Sequence, residues 1–210
     1  MDSVAKLHIL GSGGHAGVIA DLVVGNNLAK QVSFLDDRYP EVKVSHSINV
    51  VGRCSDYKQF MGEFSCFFVG IGDNTVRKAL FEMLVESGAS IAVIISPDAV
   101  ISTTVDFDTG SLVMPGVVVN SRTRIGKNVI VNTGAIVEHD CFVGDHAHVA
   151  PGAVLTGGAR IGAQCLVGAG AVVCPGVSLT SGVVLGAGAV ATKDILLPGR
   201  YVGIPACPID

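Results

Sequence analysis

Tryptophan is absent from this 210-residue chain, aromatics reach only 5% and charged residues only 15%. So little charge argues against disorder, which needs low hydrophobicity together with high charge. The net charge is −4, and with no basic excess a nucleic-acid partner is not expected. Long hydrophobic runs are missing too. No apolar stretch reaches the roughly 18 residues of a membrane span, although 49% of the chain is hydrophobic. The opening Met1-Asp2-Ser3-Val4-Ala5-Lys6 has neither the basic start nor the apolar core of a signal peptide. The six cysteines (Cys54, Cys66, Cys141, Cys165, Cys174, Cys207) include no close pair and no zinc spacing. A cytoplasmic protein with reduced thiols, no metal and no membrane partner is the expectation.

Glycine is what the chain has in excess: 27 residues, nearly twice the usual share of about 7%. The glycines serve two different grammars. Residues 1–97 alternate strand-like and helix-like stretches. Leu7-His8-Ile9-Leu10 runs into Gly11-Ser12-Gly13-Gly14 and then a helical stretch through Val18, Ile19, Leu22 and Val23. Gln31–Leu35 ends in Asp36-Asp37, and Cys66–Val69 ends in Gly70-Ile71-Gly72 before a helix over about 75–87. Ala92-Val93-Ile94-Ile95 reads as a fourth strand. This alternation predicts a small Rossmann-like parallel sheet covered by helices.

Residues 98–210 follow another rule. Stepping by six from Ile101 to Leu185 meets fifteen successive positions, all Val, Ile or Leu except Phe107. A six-residue period fits neither a helix face nor a hairpin array. It suits a parallel β-helix in which six residues form one side of a triangular coil and eighteen close it. Gly126, Asn132, Gly144, Gly162, Gly168 and Gly186 follow the aliphatic position, where the chain is expected to turn a corner.

Two places carry chemistry. The turn Gly11-Ser12-Gly13-Gly14 joins a strand to a helix, so backbone N–H groups and a helix N-terminus are offered to a phosphate. Asp36 follows Gly13 by 23 residues, near the spacing of about 20 at which an acid meets a ribose. The turn departs from the dinucleotide pattern, since His15 intrudes and Ala16 fills the last glycine place; that favours a nucleotide other than NAD. Gly70 and Gly72 would share its rim. In the prism, the register turns Val137 and Cys141 inward, leaving Glu138-His139-Asp140 on an outward corner. There a carboxylate can orient an imidazole, making His139 a general-base candidate with Asp140 as its partner. His148 points outward between Ile130 and Leu166, and His146 is expected in solvent.

The outward residues beside the inward aliphatics also differ by side. One side carries Leu112, Ile130, His148, Leu166 and Val184, a second Val118, Ile136, Val154, Val172 and Val190, and the third Asp106, Arg124, Phe142, Arg160 and Ser178. Two apolar sides need covering, and a cyclic homotrimer covers both around one axis.

These features together resemble a known family. The hexapeptide repeat is similar to the left-handed β-helix acyltransferases. The opening Ile9–Gly17, Phe34-Leu35-Asp36-Asp37, Ile71-Gly72-Asp73-Asn74, Asn132-Thr133, Glu138-His139-Asp140-Cys141 and the tail Val202–Ala206 resemble its sugar-nucleotide N/O-acetyltransferases. The resemblance covers essentially the whole chain. It implies a left-handed coil, trimers with the active site between prisms, and acetyl transfer from acetyl-CoA to a nucleotide-linked 4-amino-4,6-dideoxy sugar, UDP-linked first, GDP- or dTDP-linked as alternatives. It also implies that Ser12, Gly13, Gly14 and His15 meet the diphosphate, and that Asp36 or Asp37 meets the nucleoside. Gly72 and Asn132 would complete the substrate site. His148, Ala169 and Ala187 would contact acetyl-CoA, and His139 would be the base. The tail has Cys207 where the family often has Lys, which leaves Lys193 or Arg200 for the CoA phosphates. Two other readings stay open: O-acetylation of sialic acid, and a β-helix of the carbonic-anhydrase or scaffold type.

Overall fold

The computed structural model describes residues 4–209. Its contacts divide the chain into two compact units, Met1–Ala92 and Val93–Asp210, against a change of grammar in the sequence at 97/98.

The first unit contains β1 (Val4–Leu10), α1 (Gly14–Gly25), β2 (Ala29–Leu35), β3 (Val44–Ser45), β4 (Ile48–Gly52), β5 (Ser65–Val69) and α2 (Asn74–Glu86). The sheet order is β3-β4-β2-β1-β5, with β1 parallel to both β2 and β5. Ile9, Leu10, Phe34, Leu35, Phe67 and Phe68 are at most 1% exposed, as strands covered on both faces require. From β1 the chain moves to β2 on one side and later to β5 on the other. Turns leaving β1 and β5 therefore meet at a switch point, where open α/β sheets hold their ligands. Gly70 N donates to Leu10 O at 2.8 Å, tying the two turns together.

The β3–β4 hairpin is not legible in the sequence. Its two-residue turn is His46-Ser47, both left-handed with φ of 47° and 62°. Such turns usually announce themselves by Asn-Gly or Asp-Gly, and this pair does not.

The second unit is a three-sided parallel prism. Ile130-Val131 pairs with Leu112-Val113 on one side and His148-Val149 on the other, a step of one 18-residue coil. Val113, Val131, Val149 and Val167 fill the axis at 0% exposure. Ile94-Ile95 belongs here and not in the front sheet: it pairs with Leu112-Val113. Ile95 falls one six-residue step before Ile101, so the register draws it into the first coil.

The coil glycines work differently from the sequence expectation. A Cβ at Gly168 would stand 2.6 Å from Ala187 N, and one at Gly144 2.7 Å from Ala163 N. These positions need glycine because successive coils stack closely. The left-handed backbone falls two residues later, at Gly170 with φ 64° and at His146 with φ 61°.

Candidate active site

In the first unit the glycine turn is open. Gly13 caps α1 without any side-chain hydrogen bond, and no atom lies within 4 Å of an added Cβ at Gly13 or Gly14. The chain is therefore open beside Gly13 and Gly14 at the start of α1, and a helix N-terminus suits an anion. Ser12 is buried. Its N and Oγ donate to Asp36 Oδ2 at 2.8 and 2.7 Å. Arg38 closes the other side: Nε and N donate to Asp36 Oδ1 at 2.8 and 3.0 Å, and Nη2 to Oδ2 at 3.0 Å. The Arg38 hydrogen bond, aided by Ser12 and opposed by burial, holds the Asp36 carboxyl well below the usual range. Five donors meet a carboxylate with about four acceptor sites, so Asp36 clamps the turn to the end of β2. Asp37 Oδ1 accepts from Cys54 N at 3.0 Å. The Arg38 side chain remains 58% exposed beside them.

The second turn is organised by Arg77, which is 1% exposed. Its Nη1 donates to Gly72 O at 2.9 Å and Ile71 O at 3.3 Å, and its Nη2 to Asn74 Oδ1 at 2.7 Å. Burial pulls the guanidinium down to about 10, so it stays charged at neutral pH. Gly72 faces open space. His15 is half-buried, and burial with the nearby Arg77 charge brings it down to about 4. It therefore enters the site as a neutral imidazole.

In the prism, His139 stands on an exposed corner as expected. Nδ1 donates to Asp140 Oδ2 at 2.7 Å, leaving Nε2 as the acceptor nitrogen. The left-handed backbone at Asp140 brings the two neighbouring side chains together. The imidazole lies over Gly157 of the next coil, where a Cβ would be 2.8 Å from its Cε1 and Nε2. Arg122 holds Asp140 from the coil before, through Nε–Oδ1 at 2.6 Å and Nη2–Oδ2 at 2.8 Å. That pairing first, and His139 second, keeps the Asp140 carboxyl far below its ordinary range.

Asn132 and His148 form a second cluster. Asn132 Nδ2 donates to His148 Nε2 at 3.1 Å, and its Oδ1 accepts from Thr133 N at 2.8 Å. Ala169 and Ala187 are exposed on the edge above Asn132, joined by Gly188 N donating to Ala169 O at 2.9 Å. Gly134, Gly152, Gly170 and Gly188 border that edge with no atom within 4 Å of an added Cβ. The edge is thus smooth and open. Within one prism His139 occupies a different edge from Asn132, Ala169 and Ala187.

The remaining candidates are structural. His146 is buried, not solvent-exposed: its Nδ1 accepts from Asn128 Nδ2 at 2.9 Å. His8 pairs with Ser33 Oγ at 2.7 Å. Cys141 and Cys165 donate to Thr156 O and Thr180 O at 3.2 and 2.9 Å, and burial pushes both thiols up, away from the thiolate form. Among the described residues, no group of three His, Cys, Asp or Glu could hold a metal ion, and no helix is long and apolar enough to cross a membrane. Arg38, Arg77, Arg122 and Gly157 escaped sequence reasoning. Two of them were within reach, since Arg122 and Gly157 lie one 18-residue coil from Asp140 and His139.

Comparison with known proteins agrees with both units. Residues 6–84 match the family described as the PglD N-terminal domain, and residues 122–157 match the bacterial transferase hexapeptide family of six repeats. The acetyltransferase domain of PglB from Neisseria gonorrhoeae, solved also in complex with acetyl coenzyme A, is 35% identical, with a TM-score of 0.93. In the structure without the coenzyme, the match covers 97% of this chain and 99% of that one. PerB from Caulobacter crescentus, solved with CoA and GDP-perosamine, is 32% identical over 99% of both chains, with a TM-score of 0.89. WeeI from Acinetobacter baumannii is 26% identical over 98% of this chain and 100% of that one, also at a TM-score of 0.89. The chain belongs to the hexapeptide-repeat sugar-nucleotide acetyltransferases, acetyl-CoA-dependent enzymes built on a left-handed parallel β-helix.

Proposed function

We propose that the protein acetylates the 4-amino group of a nucleotide-linked 4-amino-4,6-dideoxy sugar, with UDP as the first carrier to assay and GDP and dTDP beside it. The observation that carries the reading is the oriented His139: Nδ1 is committed to Asp140, and Nε2 is the acceptor on an exposed edge. Acetyl-CoA supplies the activated acyl group as a thioester. The sugar amine attacks the thioester carbonyl, and His139 Nε2 takes the proton that the nitrogen loses. The new C–N bond forms, the C–S bond breaks, and His139 returns the proton to the departing CoA sulfur. The buried, hydrogen-bonded cysteines favour direct transfer over an acyl-cysteine.

The first unit would hold the nucleotide. Its α1 N-terminus and open glycines suit a diphosphate, and neutral His15 can act as a hydrogen-bonding group there. The glycine-bordered edge with Ala169 and Ala187 suits the pantetheine arm.

A homotrimer completes the site. The edge that carries His139 borders the second apolar side, and His148 stands on the first. Leu112 and Ile130 of the first side are already buried within one copy, so packing its remainder, His148, Leu166 and Val184, on the second side of the next copy sets the partner's His148 beside the side that His139 borders. A contact between unlike sides makes a ring when its rotation closes, here after three copies.

The test is steady-state kinetics with a panel of UDP-, GDP- and dTDP-linked 4-amino sugars. His139→Ala should lower kcat by about 100-fold or more on the preferred carrier, with both KM values retained. Near-wild-type turnover by His139→Ala would leave catalysis to positioning alone and overturn the assignment.

A further inference from the structure

The corner column that contains Asp140 runs through equivalent positions of successive coils. From Arg122 upward it reads Arg122, Asp140, Gly158 and Gly176, all left-handed, with φ between 59° and 73°. Glycine takes this backbone at no steric cost and aspartate tolerates it, whereas an arginine is strained there. The only two non-glycine members of this stretch are the two that contact each other. Their contact is a fork-to-fork pair, with both Asp140 oxygens engaged by the guanidinium. The Arg122 backbone is fixed from the coil before, since its N–H donates to Thr104 Oγ1 at 3.0 Å. Asp140 N donates in the same way to Ser121 O at 3.0 Å.

An isolated ion pair this exposed adds little to stability, and ordering a long arginine side chain costs entropy. Asn128, His146 and Gln164 are left-handed at another corner too, so the backbone alone does not single this pair out. What singles it out is the oxygen that is shared. Asp140 Oδ2 accepts from Arg122 Nη2 at 2.8 Å and from His139 Nδ1 at 2.7 Å. With the carboxylate pinned at both oxygens, its rotation is blocked and one lone pair stays aimed at the imidazole. Without Arg122, an exposed aspartate is free to turn into water and release the ring.

We propose that Arg122 is a positioning residue of acetyl transfer, locking Asp140 in the rotamer that orients His139. The proposal rests on the reading of His139 as the base. It assigns Arg122 no contact with substrate, so its effect runs only through Asp140.

The experiment is a double-mutant cycle on the full-length protein, with kcat and both KM values measured and folding checked by circular dichroism. Arg122→Met should lower kcat by roughly tenfold and leave both KM values unchanged. Arg122→Lys should restore part of the loss, because lysine keeps the charge but not the fork. In an Asp140→Ala background, Arg122→Met should cost nothing further. Arg122→Lys, measured alone and in the Asp140→Ala background, keeps the test valid if the Met variant folds poorly. Additive losses, or a rise in KM at unchanged kcat, would overturn the role. Full turnover by Arg122→Met beside a disabled His139→Ala would overturn it too, while leaving the base assignment standing. An active His139→Ala would remove both.

Discussion

Gly157→Ala separates packing from catalysis more cleanly than removal of the histidine. The added Cβ would stand 2.8 Å from Cε1 and Nε2 of His139, where carbon contacts are comfortable only at about 3.5–4.0 Å. The ring must therefore give way by roughly 0.7 Å or more. The backbone need not move, because Gly157 is not among the left-handed glycines and the opposing atoms are the far end of a side chain. Stability should hold or rise by about 0.4–1 kcal/mol, since alanine restricts the unfolded chain. Catalysis should not hold. The ring is tethered at Nδ1 to Asp140, so displacement falls on Nε2, the nitrogen proposed to take the amine's proton. A misplacement near 1 Å can cost about 100-fold, so kcat should fall roughly 10- to 100-fold with acetyl-CoA affinity intact. Thiol release from CoA measures the rate, and thermal unfolding measures the fold. Wild-type kcat in Gly157→Ala would mean that the ring position seen here is not the working one.

The other expectations concern the nucleotide unit and assembly. Asp36→Ala frees Ser12 and Arg38 together, so the sugar-nucleotide KM should rise while that for acetyl-CoA stays put; equal loss of both would contradict the separation of the two sites. His15 has a folded value near 4 against an ordinary 6.5, so the unfolded chain binds its proton first as pH falls. Its stabilising contribution is complete above about pH 6.5 and is lost as pH drops towards 4. His15→Gln should flatten the stability curve across that window in urea titrations, and an unchanged slope would show that His15 is not buried neutral. Sedimentation should give three chains per particle, and a stable monomer at micromolar concentration would refute the ring of unlike sides.

Much of this protein was legible because repetition is a local property. The six-residue step from Ile101 to Leu185 needs only side-chain period to be recognised, and the structure continues it backward to Ile95. His139 beside Asp140 was legible for the same reason, since the register alone sets both on an outward corner. Tertiary structure decided what lies a full coil away or depends on backbone sign. Arg122 reaches Asp140, and His139 rests on Gly157, only because coils stack with an 18-residue register. The corner glycines proved to answer two demands, close stacking at Gly168 and left-handed φ at Gly170, which composition cannot tell apart. In the front unit, Asp36 has the spacing of a ribose-binding acid, yet its lone pairs are taken by Ser12 and Arg38. A sequence shows that a carboxylate is present, but hydrogen-bond capacity is finite, and only the folded neighbourhood determines which donors fill it.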